Sequence, residues 1–322
     1  MTGLRIGGVE CGGTTFAVTF AIDSPLNIIE KVIIPTTTPD ETLTRVGDQL
    51  SKWKINTLGI GSFGPIDLNK KSPTYGFITT TPKPGWQQTD ILGKLRKNLQ
   101  SHGLNIPIGF NTDCNAAALC EVLYGQHVNA AGEKLSKQDT VAYITAGTGV
   151  GIGVSIEGRL ISGLLHPEGG HMIPRRKAGD NFKGVCPFHG DCVEGLSSTV
   201  AAAERICIAR DKLASVQDHP EWDNIAYYLA QLCLGIIVVV APNVIVLGGG
   251  MMRNAKLFPL IRKHLATLLN NYIQVPELQT QIGLDRFIVS SRFNAKGSKT
   301  TSGAVGCLQL GIDEYAKSCS KL

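Results

Sequence analysis

Two stretches in separate halves of the chain share one design. Residues 4–22 read as a strand (Leu4 to Val9), a tight Gly12-Gly13 turn and a second strand from Thr15, and Ile28 to Ile34 continues as a third. Residues 141–156, VAYITAGTGVGIGVSI, repeat the plan as strand, Ala146-Gly147-Thr148-Gly149-Val150-Gly151 turn, strand. Glycines between strands let backbone N–H groups approach an anion, and adjacent threonines add hydroxyl donors. Either copy alone is weak, because Gly-Gly is a good hairpin turn in any protein. Two copies predict a duplicated fold with one phosphate loop per domain, the loops facing each other across a cleft. A chain of 322 residues accommodates two domains.

The run from His166 to Glu194 carries a second kind of chemistry. Cys186-Pro-Phe-His189-Gly-Asp-Cys192 places three metal ligands in one loop, and His171 lies fifteen positions before the first of them. Two thiolates and two imidazoles suit tetrahedral Zn²⁺ with no position left for water, so the expected site is structural. The flanking residues are polar and glycine-rich, unlike an apolar run that buries thiols as packing. His166 competes as fourth ligand; His171 is preferred because Gly169-Gly170 lets the backbone turn before it. Glu168 and Glu194 flank the ligands, and a metal clamp would fix both carboxylates.

Elsewhere the pattern alternates strands and helices. Residues 40–54 read as a helix with Asp40 as N-cap, and Leu58 to Phe63 as a strand leaving through Gly64-Pro65. A long aromatic-bearing loop follows to Trp86, which is either core or pocket wall, with core favoured. Ile106 to Phe110 reads as a strand and Cys114 to Tyr124 as a helix. Asp113 therefore falls at a strand's end and a helix's start, as an N-cap or as a base that the helix dipole keeps ionised. Leu196 to Arg210 and Asp223 to Val240 read as helices, and Pro242 to Leu247 as a buried strand. Gly248-Gly249-Gly250 after it permits close approach of a flat ligand or simply a turn. Ile288 to Ser291 reads as the last strand, 295–301 as polar and flexible, and Ser302 to Tyr315 as the last helix.

Composition narrows the class. No apolar run reaches the roughly 18 uncharged residues of a membrane helix. The first residues carry no signal-peptide pattern, so reduced cysteines and a cytoplasmic location are expected. A net charge of +5 is mild and spread out; it gives weak support at best for nucleic-acid binding and agrees equally well with anionic small-molecule substrates.

Taken together, several motifs resemble the ROK family of sugar kinases, most closely its fructokinase branch. They are Glu10-x-Gly12-Gly13-Thr14, Ser62-Phe-Gly64-Pro65-Ile-Asp67, Tyr75-Gly76 through Thr81-Pro-Lys83-Pro-Gly85-Trp86, Thr112-Asp113-Cys-Asn-Ala-Ala-Ala, Gly147-Thr148-Gly149-Val-Gly151, Glu168-x-Gly170-His171, the Cys186–Cys192 loop and Leu247-Gly-Gly249-Gly250. They run in order over nearly the whole chain. Most relatives have Asp at the position of Glu10, often a lysine at that of Thr15, and usually an asparagine at that of Thr112.

The resemblance implies an α/β, actin/hexokinase-like (ribonuclease H-like) two-domain fold with a nucleotide and sugar cleft. The expected division is a small domain of 1–114 plus 302–322 and a large domain of 115–301. It implies ATP with Mg²⁺, structural Zn²⁺ on His171, Cys186, His189 and Cys192, and a homodimer. The expected reaction is phosphorylation of a hexose, most simply fructose, at its 6-hydroxyl. Asp113 is the expected base. Gly64, Pro65, Thr112, Glu168, His171 and Glu194 are expected around the sugar. Glu10, Gly12, Gly13, Thr14, Thr148, Gly149, Gly249 and Gly250 are expected around the nucleotide and its metal. The alternatives are a hexokinase for mannose, glucose or an N-acylhexosamine, and a sugar-binding regulator without catalysis; Asp113 and both glycine loops argue against the regulator.

Overall fold

A computed structural model describes residues 3–295, 298 and 300–320. The expectation for 295–301 falls partly on residues 296, 297 and 299, outside the described residues. The chain divides into two compact units, Met1–Cys120 with Leu160–His166 and Thr300–Leu322, and Glu121–Arg159 with Pro167–Lys299.

In the first unit β1 (Arg5–Cys11), β2 (Thr15–Ile22) and β3 (Ile28–Pro35) form an antiparallel meander. Helix α1 (Pro39–Trp53) leads to β4 (Thr57–Ser62). Two short strands, β5 (Phe77–Ile78) and β6 (Thr89–Asp90), pair within the long loop before α2 (Ile91–Ser101). Then come β7 (Ile108–Thr112) and α3 (Asp113–Tyr124). The sheet order is β3-β2-β1-β4-β7, with β4 and β7 parallel to β1.

The second unit reuses this plan. Strands β8 (Val141–Ala146) and β9 (Val150–Ile156) are an antiparallel hairpin, followed by β10 (Arg159–Leu160). Helices α4 (Val193–Ser197), α5 (Thr199–Ile206) and α6 (Glu221–Val240) precede β11 (Val244–Gly248). Helices α7 (Leu257–Leu269), α8 (Pro276–Gln279) and α9 (Gln281–Phe287) lead to β12 (Ile288–Ser290). The order is β10-β9-β8-β11-β12, with β11 parallel to β8 and to β12. Both sheets thus join an antiparallel hairpin to parallel strands reached through helices, the duplication that the paired glycine turns predict. The chain closes with α10 (Ser302–Cys319).

Two local boundaries differ from expectation for identifiable reasons. Helix α1 is capped by Thr38, whose hydroxyl oxygen accepts from the Glu41 N–H, because Pro39 fits the first helical position. Asp40 instead pairs with Lys94. The helix expected over 196–210 is broken at Ser198, which is extended (ψ 170°) and caps α5 by accepting from the Ala201 N–H.

The first unit's core lies between the sheet and the inner faces of α1 and α2: Leu43, Val46 and Leu50 with Leu92, Leu95 and Leu99. Trp86 is fully buried in it, as favoured. Helix α6 is apolar and long enough to cross a membrane by composition, but half of that stretch is buried, including Trp222, Ile225, Leu229 and Leu232.

On the other face of the first sheet α10 approaches the backbone directly. A Cβ at Gly59 would lie 1.7 Å from the Cys307 carbonyl oxygen. The Thr57 hydroxyl donates to the Gly311 carbonyl at 2.6 Å, so helix and strand are bonded as well as packed. Gly59→Ala should therefore push α10 off the sheet and lower stability by about 1–3 kcal/mol. Urea denaturation measures this, and an unchanged midpoint would show that α10 tolerates displacement.

Candidate functional site

Parallel register aligns the carboxyl ends of three strands in the first unit. Cys11 pairs with Ser62, and Ser62 with Thr112. The Gly12–Thr14 turn, the Gly64-Pro65 exit and Asp113 consequently leave the same edge of one sheet, where α/β proteins place ligands. The turn is closed by a hydrogen bond from the Gly12 N–H to the Thr15 carbonyl at 3.0 Å. Thr36 ties β3 to it: its hydroxyl donates to the Gly12 carbonyl at 2.8 Å and its N–H to the Thr14 carbonyl at 3.0 Å.

Asp113 is the first residue of α3, and the cap is its neighbour. The Thr112 side-chain oxygen accepts from the Asn115 N–H at 3.0 Å, which leaves its O–H hydrogen for another partner. Asp113 accepts from the Cys114 N–H at 2.8 Å. It keeps some solvent contact, but the packing around it pushes its pKa up to about 7, with the Glu10 charge as second cause. Burial and a like charge thus outweigh the helix dipole that was expected to keep this group fully ionised. Burial also raises the Glu10 pKa. One Glu10 oxygen accepts from the Thr301 hydroxyl at 2.7 Å, and the carboxylate packs against Gly303 at the start of α10.

His166, the rival metal ligand, is buried in this unit and accepts the Ile66 N–H on Nε2 at 3.0 Å. It is committed to the loop that follows Gly64-Pro65.

In the second unit the Gly147–Gly149 turn is closed by the Gly147 N–H donating to the Gly149 carbonyl at 2.9 Å. The break before α5 has a consequence here: the Thr199 N–H donates to the Gly147 carbonyl at 2.8 Å. Glu194 accepts the Val150 N–H at 3.0 Å, so one carboxylate oxygen supports this turn. Gly248 pairs with Thr145, which brings Gly249 and Gly250 to the same edge as Thr148. Gly249 has φ +88°, and a Cβ there would sit 2.4 Å from the Ala146 carbonyl oxygen. Glu168 stands just before a short 3-10 turn, Gly169–His171, pressed so close to β9 that a Cβ at Gly170 would lie 1.7 Å from the Val150 oxygen.

The four expected metal ligands come together. The donor atoms of His171, Cys186, His189 and Cys192 lie within 4.8 Å of one another. The Cys186 sulfur is 3.7 Å from Nδ1 of both His171 and His189, and the Cys192 sulfur is 3.6 Å from His171 Nδ1. Sulfur and nitrogen bound to one tetrahedral Zn²⁺ at about 2.3 and 2.0 Å would be about 3.5 Å apart. The donor set and its edges fit a closed zinc site. The loop is held by paired backbone bonds between Cys186 and Gly190.

Sequence reading missed several supporting groups. Thr199 and the Glu194–Val150 bond carry no local signal. Arg205 is almost fully buried and its guanidinium donates to both oxygens of Asp180, at 3.1 and 2.8 Å, and to Glu221 at 2.9 Å. A lone arginine on a helix does not announce such a clamp.

The sequence matches the ROK family over residues 6–310. A fructokinase of Lactococcus lactis subsp. cremoris is 41% identical over 271 residues, covering 84% of this chain and 87% of that protein. A fructokinase of Pediococcus pentosaceus is 40% identical over 307 residues, covering 95% and 97%. Among solved structures, a ROK family glucokinase from Streptomyces griseus in complex with glucose and AMPPNP superposes with a TM-score of 0.69 at 20% identity, covering 96% and 99%.

The raised pKa of Asp113 has a stability signature. Below about pH 4 the group is protonated in both folded and unfolded chains and carries no penalty. As pH rises toward 7 the folded chain keeps a proton that the unfolded chain has released, so stability falls across this window. Asp113→Asn should therefore melt above the wild type at pH 8, and the gap should close by pH 4. Scanning calorimetry at both pH values checks it; equal melting temperatures at pH 8 would place Asp113 in a relaxed environment.

Proposed function

The chain belongs to the ROK family, and from that premise we propose that it is an ATP-dependent fructokinase making fructose 6-phosphate. The observation that carries the reading is the 36–41% identity to proteins named fructokinase over 84–95% of the chain. The site chemistry agrees with it. In the reaction the sugar's 6-hydroxyl oxygen attacks the terminal phosphorus of ATP. A new O–P bond forms, the bond from that phosphorus to the bridging oxygen breaks, ADP leaves, and the hydroxyl proton passes to Asp113.

An aspartate near pKa 7 is matched to this task, because about half of it is ionised at neutral pH and it is basic enough to hold the proton. We assign Gly12, Gly13, Thr14, Thr148 and Gly149 to the phosphates, and Gly249 and Gly250 to the adenosine. Mg²⁺ on ATP would neutralise phosphate charge, with Glu10 among the groups holding it. Gly64, Pro65, Thr112, Glu168 and Glu194 are assigned to the sugar. His171 presents Nδ1 to the thiols, which leaves Nε2 for a sugar hydroxyl. Zn²⁺ in the four-residue cluster would be structural. We further assign the protein to the cytoplasm, consistent with nine cysteines in thiol form, and to a homodimer.

A coupled ADP-release assay over a hexose panel tests the activity, with fructose expected to give the highest kcat/KM. Asp113→Asn should lower kcat by about 10²–10⁴ with fructose KM little changed. Near-wild-type turnover would put the base elsewhere, and no turnover with any hexose would remove the kinase reading.

The metal assignment is separately testable. Protein purified without added metal should hold about one zinc per chain. Cys186→Ser and His189→Ala should each lose it and raise the fructose KM through displaced Glu168 and Glu194. Elemental analysis decides: a metal-free preparation with full activity would leave the cluster without a metal role.

A further inference from the structure

The first phosphate turn brings no positive charge of its own. Residues 10–15, Glu-Cys-Gly-Gly-Thr-Thr, supply backbone N–H groups, two hydroxyls and one carboxylate. A nucleotide's phosphates carry several negative charges, and phosphoryl transfer depends on neutralising them. Mg²⁺ on ATP would offset part of that charge, and a cationic side chain beside the turn would offset more of it as the phosphoryl group transfers.

The structure supplies one from the same unit. Thr36, bonded to both Gly12 and Thr14, also receives a hydrogen bond on its own carbonyl from Lys83 Nζ, at 3.4 Å. The ammonium is therefore one residue removed from the turn. That bond is long and uses one of three N–H donors. Among the described residues no carboxylate pairs with Lys83. Lys31, the basic residue of β3, pairs with Thr19, four positions along the strand from the Thr15–Pro35 pair that borders the turn, and its charge acts on Glu10, whose pKa it lowers.

The loop that delivers Lys83 is anchored to the same place. Trp86 is fully buried against Phe16 and Phe63, with ring centroids 5.4 and 5.7 Å away. Its indole N–H donates to the Thr37 carbonyl at 2.9 Å. Phe16 follows Thr15 in β2 and Thr37 follows Thr36, so the tryptophan grips β2 and the segment just after β3, on either side of the turn. The Trp86 N–H donates to the Lys83 carbonyl at 3.2 Å, and the Lys83 N–H to the Thr81 side-chain oxygen at 3.3 Å. The lysine backbone is thus fixed, and its half-buried side chain runs back toward the turn.

We propose that Lys83 is the cation of this phosphate turn, contacting the terminal phosphate of the nucleotide and staying with the phosphoryl group as it transfers. The proposal rests on the kinase reading above and adds a catalytic residue to it. Its bond to Thr36 is the resting contact, exchanged for phosphate oxygens when nucleotide binds.

The test uses the full chain with Lys83→Met and Lys83→Arg, and combines steady-state kinetics with calorimetric binding of ADP and of a non-hydrolysable ATP analogue. Lys83→Met should lower kcat by about 10²–10³, the range for removing one preorganised donor, with fructose KM within about threefold. It should also weaken the analogue about tenfold more than ADP, since only the analogue carries the terminal phosphate. Lys83→Arg should recover most of kcat, and melting temperatures should stay within a few degrees. A kcat for Lys83→Met within about threefold of wild type overturns the proposal. So does equal weakening of analogue and ADP with a lower melting temperature, which marks a loop staple. Should the wild type phosphorylate no hexose, the kinase reading fails by itself. The calorimetry then still decides on Lys83: selective loss of the analogue supports the phosphate contact, and unchanged binding removes it.

Discussion

The register of parallel strands is the constraint on which the rest depends. Side chains alternate along a strand, but the ends of parallel strands leave the sheet on one side only, and there the backbone is free to turn toward a ligand. In the first unit Cys11, Ser62 and Thr112 share one line across β1, β4 and β7. In the second, Thr145 lies beside Gly248, and Leu247 beside Ser290. A slip of one residue in β7 would turn the residues preceding Asp113 to opposite faces. The contact between α10 and Gly109 of β7 opposes such a slip, because a Cβ there would lie 2.3 Å from the Leu310 carbonyl oxygen.

That edge is electrostatically expensive. Glu10 stands close enough to Asp113 for its charge to raise the Asp113 pKa, and the thiols of Cys11 and Cys307 around them are pushed toward the neutral form by burial. A floor of neutral sulfur and apolar side chains solvates a carboxylate poorly. The result is an aspartate that holds its proton to about pH 7, against a helix N-terminus that pulls the other way. Strain of this kind favours a positively charged group arriving at the edge. The base and the demand for cations therefore share one cause.

Much of this was legible in the sequence, and the parts that were not share a reason. The glycine turns, the strand before Asp113 and the Cys-x-x-His-x-x-Cys loop are local signals, set by residue type and spacing over a few positions. His171 over His166 was argued from Gly169-Gly170. The structure gathers His171 with the cysteines and commits His166 to Ile66, a contact spanning 100 residues that no spacing rule reveals. The cap of α1 was visible as Thr38-Pro39 and misassigned to Asp40, because acidic residues suit both the cap and the first turn. The break at Ser198 is of the same kind: Ser197, Ser198 and Thr199 all suit a cap, but residue type does not say which one breaks the helix, and the value of the break lies in the bond from Thr199 to Gly147. The pKa of Asp113 was misjudged because burial and Glu10, both tertiary, decide it.

The segment 172–192 shows how a chain without regular structure can still hold charges in place. It has no helix or strand to satisfy its backbone, so side chains do so. Gln231 accepts from the Arg175 N–H and donates to the Arg175 carbonyl, and Arg176 donates to the carbonyls of Asp180 and Phe182. Burial alone would raise the Asp180 pKa, yet hydrogen bonds from Arg205 and Tyr228 hold it well below the usual carboxylate range. Phe182 covers the Arg205 guanidinium, 4.2 Å from ring centre to carbon. Removing one partner of such a pair leaves the other charge buried, so this clamp is all-or-none. The Cys and His cluster closes the segment's ends by a second, independent means. With its middle fastened to α5 and α6 and its ends closed by the ligand cluster, the segment moves as part of the second unit. Glu168 and Glu194 lie just outside the two ends, and the Glu168 carbonyl is tied to the cluster directly, accepting from the His171 N–H at 3.0 Å.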